Sequence, residues 1–330
     1  MTGAAGIPIG VVGVGSLGFH HARILRDVPG ARLVGVHDSD EARAAFVERE
    51  LGVKAYSTLE ALLGDVEAAI VAVPTAEHHA VAMQALDRGV HLLIEKPLAS
   101  TLEQAEEIVR RGAERGLLIA TGHVERFNSA LRAAEQYVHS PRFVESHRLA
   151  PFNPRGTDVA VVLDLMIHDI DLILSLVRSP VTQVDAVGVP VLTPSVDIAN
   201  ARLRFEGGAV ANITASRVSR ERMRKIRLFQ PSGYLSLDLA TGTGEFLRIR
   251  EGVVLGSGSL ELSQLAEIVE RVELGGDGKE PLRAELESFV SAVRGDGSLV
   301  VTGEDGRRAL AVALEIVERS EEHVTHPGAS

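Results

Sequence analysis

Three sets of residues in this 330-residue chain have the types and spacing to do chemistry. The first is Gly13, Gly15 and Gly18, a G-x-G-x-x-G within the stretch Gly10 to His21. Gly13 suits a tight turn, Gly15 lets backbone approach a bound group, and Gly18 permits close helix–strand packing. With Ser16 and Leu17 between them, such a turn opening a helix offers N–H groups and partial positive charge to a pyrophosphate. Asp38 follows Gly18 by about twenty residues, where a carboxylate accepts from ribose hydroxyls and repels a 2′-phosphate. Neither Ser39 nor Asp40 supplies a cation for that phosphate, so the pattern favours NAD. The bland reading of Asp38 is an N-cap for a helix from Glu41 onward.

The second set is Glu95-Lys96-Pro97, directly after an apolar strand pattern. A lysine at the carboxyl edge of a parallel sheet reaches a nicotinamide ribose and a substrate hydroxyl, and its charge favours alkoxide character during hydride transfer. The competing reading is a surface Glu–Lys pair before a turn. The third set is Asp164, His168 and Asp171, four and three residues apart and so on one side of a helix. A helix as apolar as Val161 to Val177 is largely buried, and a buried imidazole beside a carboxylate suits a general base. A satisfied core pair, a capping acidic run and a metal site are the alternatives. With so few other ligand types in view, no metal is expected.

These residues need a scaffold, and the hydrophobic pattern supplies one. From Ile7 to about residue 123, strand and helix patterns alternate, which means crossover units and a parallel sheet. After 124 the texture changes. Helices are expected over Asn128–Val138 and Asp158–Leu176, followed by alternating runs at Ala201–Phe205, Ala209–Ala215, Arg224–Phe229, Tyr234–Leu239 and Glu245–Arg250. Helices return at Leu282–Val293 and Glu304–Arg319, with a polar tail holding His326, Pro327 and Gly328. The reading is α/β: a Rossmann domain over 1–123, then an α+β domain over 124–330 with an open, largely antiparallel sheet. Such a sheet leaves one face for solvent or a partner subunit.

Composition narrows the function classes. The net charge of −11 argues against nucleic acid as a partner, and the absence of cysteine removes disulfides and thiolate chemistry. There is no basic, signal-like start and no apolar run of membrane-spanning length, so no membrane is expected and a cytoplasmic location is the default.

Taken together, G-x-G-x-x-G-x-x-H through His21, V-P-T-x-x-H from Val73 to His78, E-K-P and D-x-x-x-H-D resemble, in order and spacing, the Gfo/Idh/MocA family of NAD(P)-dependent oxidoreductases. The resemblance implies Lys96 and His168 as catalytic residues with Asp164 supporting His168. It also implies NAD contacts that include Pro74, His78, Glu95 and Lys96, and a homodimer or homotetramer built on the second domain. Many members carry glycine where this chain has Met166. The segment Gly122–Ala130 is most similar to the branch that oxidises UDP-N-acetylglucosamine at C3, whose product feeds an aminotransferase in lipid A diamino-sugar synthesis. Arg126 and Asn128 are then candidate sugar ligands, though Asn128 equally suits a helix cap. Arg217, opening the basic run to Arg227, suits a pyrophosphate, though a solvated or subunit-facing strand explains it as well. A dehydrogenase of a free inositol or aldose and a non-catalytic NAD-binding regulator are the competing functions.

Overall fold

A computed structural model describes residues 6–153, 159–253 and 267–325. The chain divides into two compact units, Met1–Phe127 with Glu280–Ala311 and Asn128–Lys279 with Val312–Ser330. The sequence pattern places one boundary, after residue 123, and does not reveal that 280–311 rejoins the first unit. The physical reason for the return is packing: Leu286, Phe289 and Val290 are buried in the same cluster as Leu25, Val28 and Leu93.

The first unit alternates strands and helices in the expected way. They are β1 (Ile7–Val12), α1 (Ser16–Leu25), β2 (Ala31–His37), α2 (Glu41–Leu51), β3 (Lys54–Ala55), α3 (Leu59–Gly64), β4 (Ala68–Val71), α4 (Thr75–Asp87), β5 (His91–Glu95), α5 (Leu102–Glu114) and β6 (Ile119–Gly122). All strand pairs are parallel, in the order β3-β2-β1-β4-β5-β6. Ile9, Val11, Ile70, Leu92 and Ile94 have no exposed surface, as expected of strands covered on both faces. The strand order reverses between β1 and β4, and the carboxyl ends of these strands and β5 border the crevice where open parallel sheets take ligands. Asp40, not Asp38, caps α2 by accepting from the amides of Ala42 and Arg43, which leaves Asp38 to other partners.

The second unit contains α6 (Ser129–Ala134), β7 (Phe143–Leu149), a π-helical turn (Val162–Met166) running into α7 (Ile167–Val177), and the strands β8 (Val181–Val189), β9 (Ile198–Phe205), β10 (Val210–Ser216), β11 (Met223–Gln230), β12 (Gly233–Asp238), β13 (Thr243–Ile249) and β14 (Val269–Gly275). Their order is β14-β13-β12-β11-β7-β10-β9-β8, antiparallel except for the central pair β7–β10. The helix expected over Asn128–Val138 is shorter and ends in a 3-10 turn, Glu135–Tyr137. Asp158, the expected start of the next helix, and the tail at His326–Gly328 lie outside the described residues. β7 is hidden in the sequence because its buried residues include Ser146 and Arg148, which break the apolar alternation. β8 is hidden because it is an edge strand with few buried positions. The remaining helices are α8 (Pro281–Val293) and α9 (Gly303–Thr325). No described helix is long and apolar enough to cross a membrane.

Candidate functional site

In the first unit, β1 delivers the chain into the glycine turn. Gly13 has φ +80°, and a Cβ there would lie 2.7 Å from the backbone of Ala72, so the turn requires glycine. Gly18 passes so close to the carbonyl of Gly13 that any Cβ would overlap it. Gly15 is different: nothing lies within 4 Å of where its Cβ would stand. Its backbone borders a cleft of about 1140 Å³ lined also by Gly13, Ser16, Leu17 and Asp38. α1 begins at Ser16 with no side chain capping its amides, so these N–H groups remain for an anion. A Cβ-sized gap over bare backbone at an uncapped helix start fits the pyrophosphate of NAD. Two substitutions separate the roles of these glycines. Gly18→Ala should destabilise the first unit by about 3 kcal/mol through overpacking, read by thermal unfolding. Gly15→Val should keep the fold and weaken NAD binding at least about tenfold by calorimetry, since it fills the gap alone.

Asp38, at the end of β2, lines the same cleft. Its Oδ2 accepts from the Val14 amide at 2.7 Å and its Oδ1 from Asp40 N–H at 2.9 Å, which fixes the carboxylate beside the glycine turn. Arg43 also lines the cleft, a residue to which the pattern at positions 39 and 40 does not point. Its Nε donates to the Val14 carbonyl at 2.5 Å and its other nitrogen to Gly15 at 3.1 Å, while its guanidinium lies over Phe19 and Phe46. The signal was available: Arg43 stands one helical turn after the capping residue Asp40.

Pro74, Glu95 and Lys96 line the far part of the cleft, with Lys96 immediately after β5 and joined to Pro97 by a cis bond. Glu95 is buried, and its Oε1 lies 2.6 Å from His21 Nε2. Burial alone would raise the Glu95 carboxyl, but the His21 hydrogen bond and the charges of His21 and Lys96 outweigh it and hold the group below its ordinary value. His78 borders the cleft and is buried, with Nδ1 2.9 Å from the Pro97 carbonyl and Nε2 3.0 Å from that of Val73. Burial lowers its pKa, so the ring is neutral and has one N–H to donate. With one N–H facing two carbonyls, His78 donates either to Val73 or to Pro97, the residue after Lys96, and not to both at once.

In the second unit, Asp164 sits in the π turn and His168 in the first turn of α7, both half-buried, with Asp171 buried one turn further on. π turns are rare and occur mostly as inserts at functional positions. Met166, where the resembling family often has glycine, is fully buried and belongs to the packing of this helix. One buried ion pair fixes the helix, and a second lies beside the chain that leads into it. Arg148 of β7 donates two hydrogen bonds to Asp169, at 2.8 and 3.0 Å, in a bidentate fork. Arg217 lies 3.7 Å from Asp197 and donates to the Val159 carbonyl, just before the π turn. Asp197 also accepts from the amides of Val191, Leu192 and Thr193. Burial works against ionisation there, but these amides and the Thr193 hydroxyl dominate and hold its pKa at about 2.

The three candidate substrate ligands fare differently from the expectation. Arg217 is 4% exposed and already occupied by Asp197 and Val159, so it is an internal clamp and not an open pyrophosphate ligand. Asn128 is 5% exposed; its Oδ1 caps α6 at Ala130 and its Nδ2 donates to Leu239, which selects the capping reading. Arg126 retains some exposure and lies 3.7 Å from Asp305 within the first unit.

Comparison with known proteins agrees with this architecture. Residues 7–123 match the model of an oxidoreductase family with an NAD-binding Rossmann fold, and residues 131–236 match the GFO/IDH/MocA C-terminal domain. The chain is 38% identical over 308 residues to UDP-N-acetylglucosamine 3-dehydrogenase of Acidithiobacillus ferrooxidans, covering 93% of this chain and 95% of that protein. A solved structure bearing that enzyme's name, from the same organism, superposes with a TM-score of 0.88 at 36% identity, covering 97% of this chain and 99% of the other. A scyllo-inositol 2-dehydrogenase (NAD(+)) of Bacillus subtilis is 29% identical over 228 residues, covering 63% of this chain and 67% of its own. With both domains matched and a glycine turn shaped for NAD, the chain belongs to the Gfo/Idh/MocA family of NAD-dependent oxidoreductases.

Proposed function

We propose that this dehydrogenase oxidises the C3 hydroxyl of UDP-N-acetylglucosamine to the ketone, giving UDP-3-keto-N-acetylglucosamine. The observation that carries the reading is the 38% identity to a UDP-N-acetylglucosamine 3-dehydrogenase sustained over 93% of the chain. Bound NAD supplies the hydride acceptor, held by the Gly13–Gly18 turn and Asp38. The chain's residues handle the hydroxyl proton and the charge it leaves behind. The Lys96 ammonium, at the cleft edge, stabilises negative charge on the substrate oxygen. His168 accepts the proton, with Asp164 orienting the imidazole. The ketone is a substrate for amination, and the reading includes a downstream aminotransferase and lipid A diamino-sugar synthesis as the destination. A homodimer or homotetramer on the open sheet face completes the reading; Val187, Val189, Phe229 and Ile249 are exposed on the strands of that sheet.

A second reading, oxidation of a free inositol, is favoured by one observation. A myo-inositol 2-dehydrogenase of Thermotoga maritima is 26% identical across 95% of this chain. Formation of reduced nicotinamide, followed by absorbance with NAD and each candidate, separates the two. Turnover is expected with UDP-N-acetylglucosamine and not with myo- or scyllo-inositol. Turnover with an inositol alone reverses the assignment.

A further inference from the structure

Glu285 takes no part in the chemistry above, yet it is one of the most buried charged residues of the first unit, at 3% exposure on α8. Neither of its carboxyl oxygens has a hydrogen-bond partner among the described residues. One of these oxygens, one of Glu95 and a ring nitrogen of His21 all lie within 4.8 Å of one another, and all three residues are buried. Two carboxyls this close and shielded from water do not both ionise, because each anion raises the cost of the other. The partners decide which one keeps the charge. Glu95 has the His21 ring at 2.6 Å, accepts weakly from the Lys96 amide at 3.3 Å and lies in the field of the Lys96 charge. Glu285 has none of these.

We propose that Glu285 is a buried proton-binding site, carried as a neutral acid in the folded protein at neutral pH. The His21–Glu95–Glu285 group then keeps its one carboxylate charge on Glu95, the residue before Lys96. Burial pushes the Glu285 carboxyl well above its ordinary range, and the Glu95 charge adds to the effect. A cavity of about 10 Å³ beside Glu285, lined in part by Thr121 and Ser288, is near the volume a single water needs and gives the acid a polar outlet. The charged groups on the elements packed against α8 do not reverse the assignment. α1 adds Arg23, which lies 3.8 Å from Glu280, and the turn Val124–Phe127 adds Glu125 and Arg126, the latter beside Asp305. On α8 itself Arg283 donates to Glu287. A divalent cation is the rival occupant of the same three ligand atoms. The 2.6 Å His21–Glu95 hydrogen bond already pairs two of the three residues, which favours the proton.

The consequence is measurable without substrate, so its failure and that of the substrate assignment are distinguishable. Between the ordinary carboxylate pKa and the raised one, the folded chain holds a proton that the unfolded chain has released. Stability therefore falls as pH rises through this interval, about tenfold in the unfolding constant per pH unit. The full chain and its Glu285→Gln variant are compared by denaturant unfolding from about pH 5 to about pH 8. The ratio of wild-type to variant unfolding constants is expected to climb at that slope, and Glu285→Met serves if the glutamine variant does not fold. The infrared carbonyl band of a protonated carboxylic acid is expected in the wild type at neutral pH and absent from the variant. A ratio flat with pH, a missing acid band, or one equivalent of a divalent metal found by elemental analysis in the purified chain overturns the proposal.

Discussion

Lys96→Ala should lower kcat with UDP-N-acetylglucosamine by roughly a thousandfold while NAD still binds. The expectation rests on a division of labour within the first unit. In the proposed reading the dinucleotide is held mainly by backbone, at the open Gly15 and the uncapped start of α1, with the pinned carboxylate of Asp38 beside them. Lys96 adds a cation at the end of β5, and it is held in place from two sides. Glu95 before it is fixed by His21, and the carbonyl of Pro97 after it lies 2.9 Å from His78 Nδ1. A charge placed where an oxygen becomes negative acts most strongly in the transition state, so the loss should appear in kcat more than in NAD affinity. Lys96→Arg should rescue little, because a planar fork does not reproduce a compact ammonium. Steady-state kinetics with calorimetric NAD titration checks both statements; a kcat within about threefold of wild type would remove Lys96 from the chemistry.

Arg148→Met is expected to destabilise the second unit by about 3–5 kcal/mol, because it strands Asp169 as an unpaired buried anion. The side chains of the pair are 4% and 2% exposed, so water cannot substitute for the lost fork. Arg148→Met with Asp169→Leu should recover much of that loss, since removing both charges relieves the desolvation that one alone cannot bear. Urea unfolding of the two single variants and the double variant closes the cycle. Asp169 is the residue after His168, so the single variant should also lower kcat in the fraction that remains folded. A single-variant cost below about 1 kcal/mol would mean that the pair is not the anchor of α7.

The parts of this protein that were readable in advance are local ones. The glycine turn announces itself by its spacing after a strand pattern, and Gly18 answers to the Gly13 carbonyl within that turn, whereas the Gly13 contact with Ala72, past β4, is visible only in the fold. The parallel sheet is readable because its strands are short, apolar and separated by helices of regular period. Long-range pairing was out of reach. Arg148 and Asp169 are 21 residues apart, and nothing in either neighbourhood names the other. Arg217 and Asn128 stay ambiguous in the sequence for a related reason. Their chemical types suit a ligand, and only the tertiary structure reveals that the first is occupied by Asp197 and Val159 and the second by α6 and Leu239. Glu285 carries no signal in the sequence beyond its place in the helix pattern of Leu282–Val293, and its burial follows from the packing of α8 into the first unit.

The parallel pairing of β7 with β10 in an otherwise antiparallel sheet has a kinetic meaning. Strands that run side by side in one direction cannot be joined by a hairpin, and here residues 150–209, including the His168 helix, are looped out between them. Zipping the middle of this sheet therefore carries a large closure entropy, and its contact order is high. Pairing of β7 with β10 is therefore expected to be a slow step, and substitutions in β10 should slow refolding if the seam forms in the transition state. A nascent chain released before β10 has emerged holds its histidine on a helix with no seam to dock against.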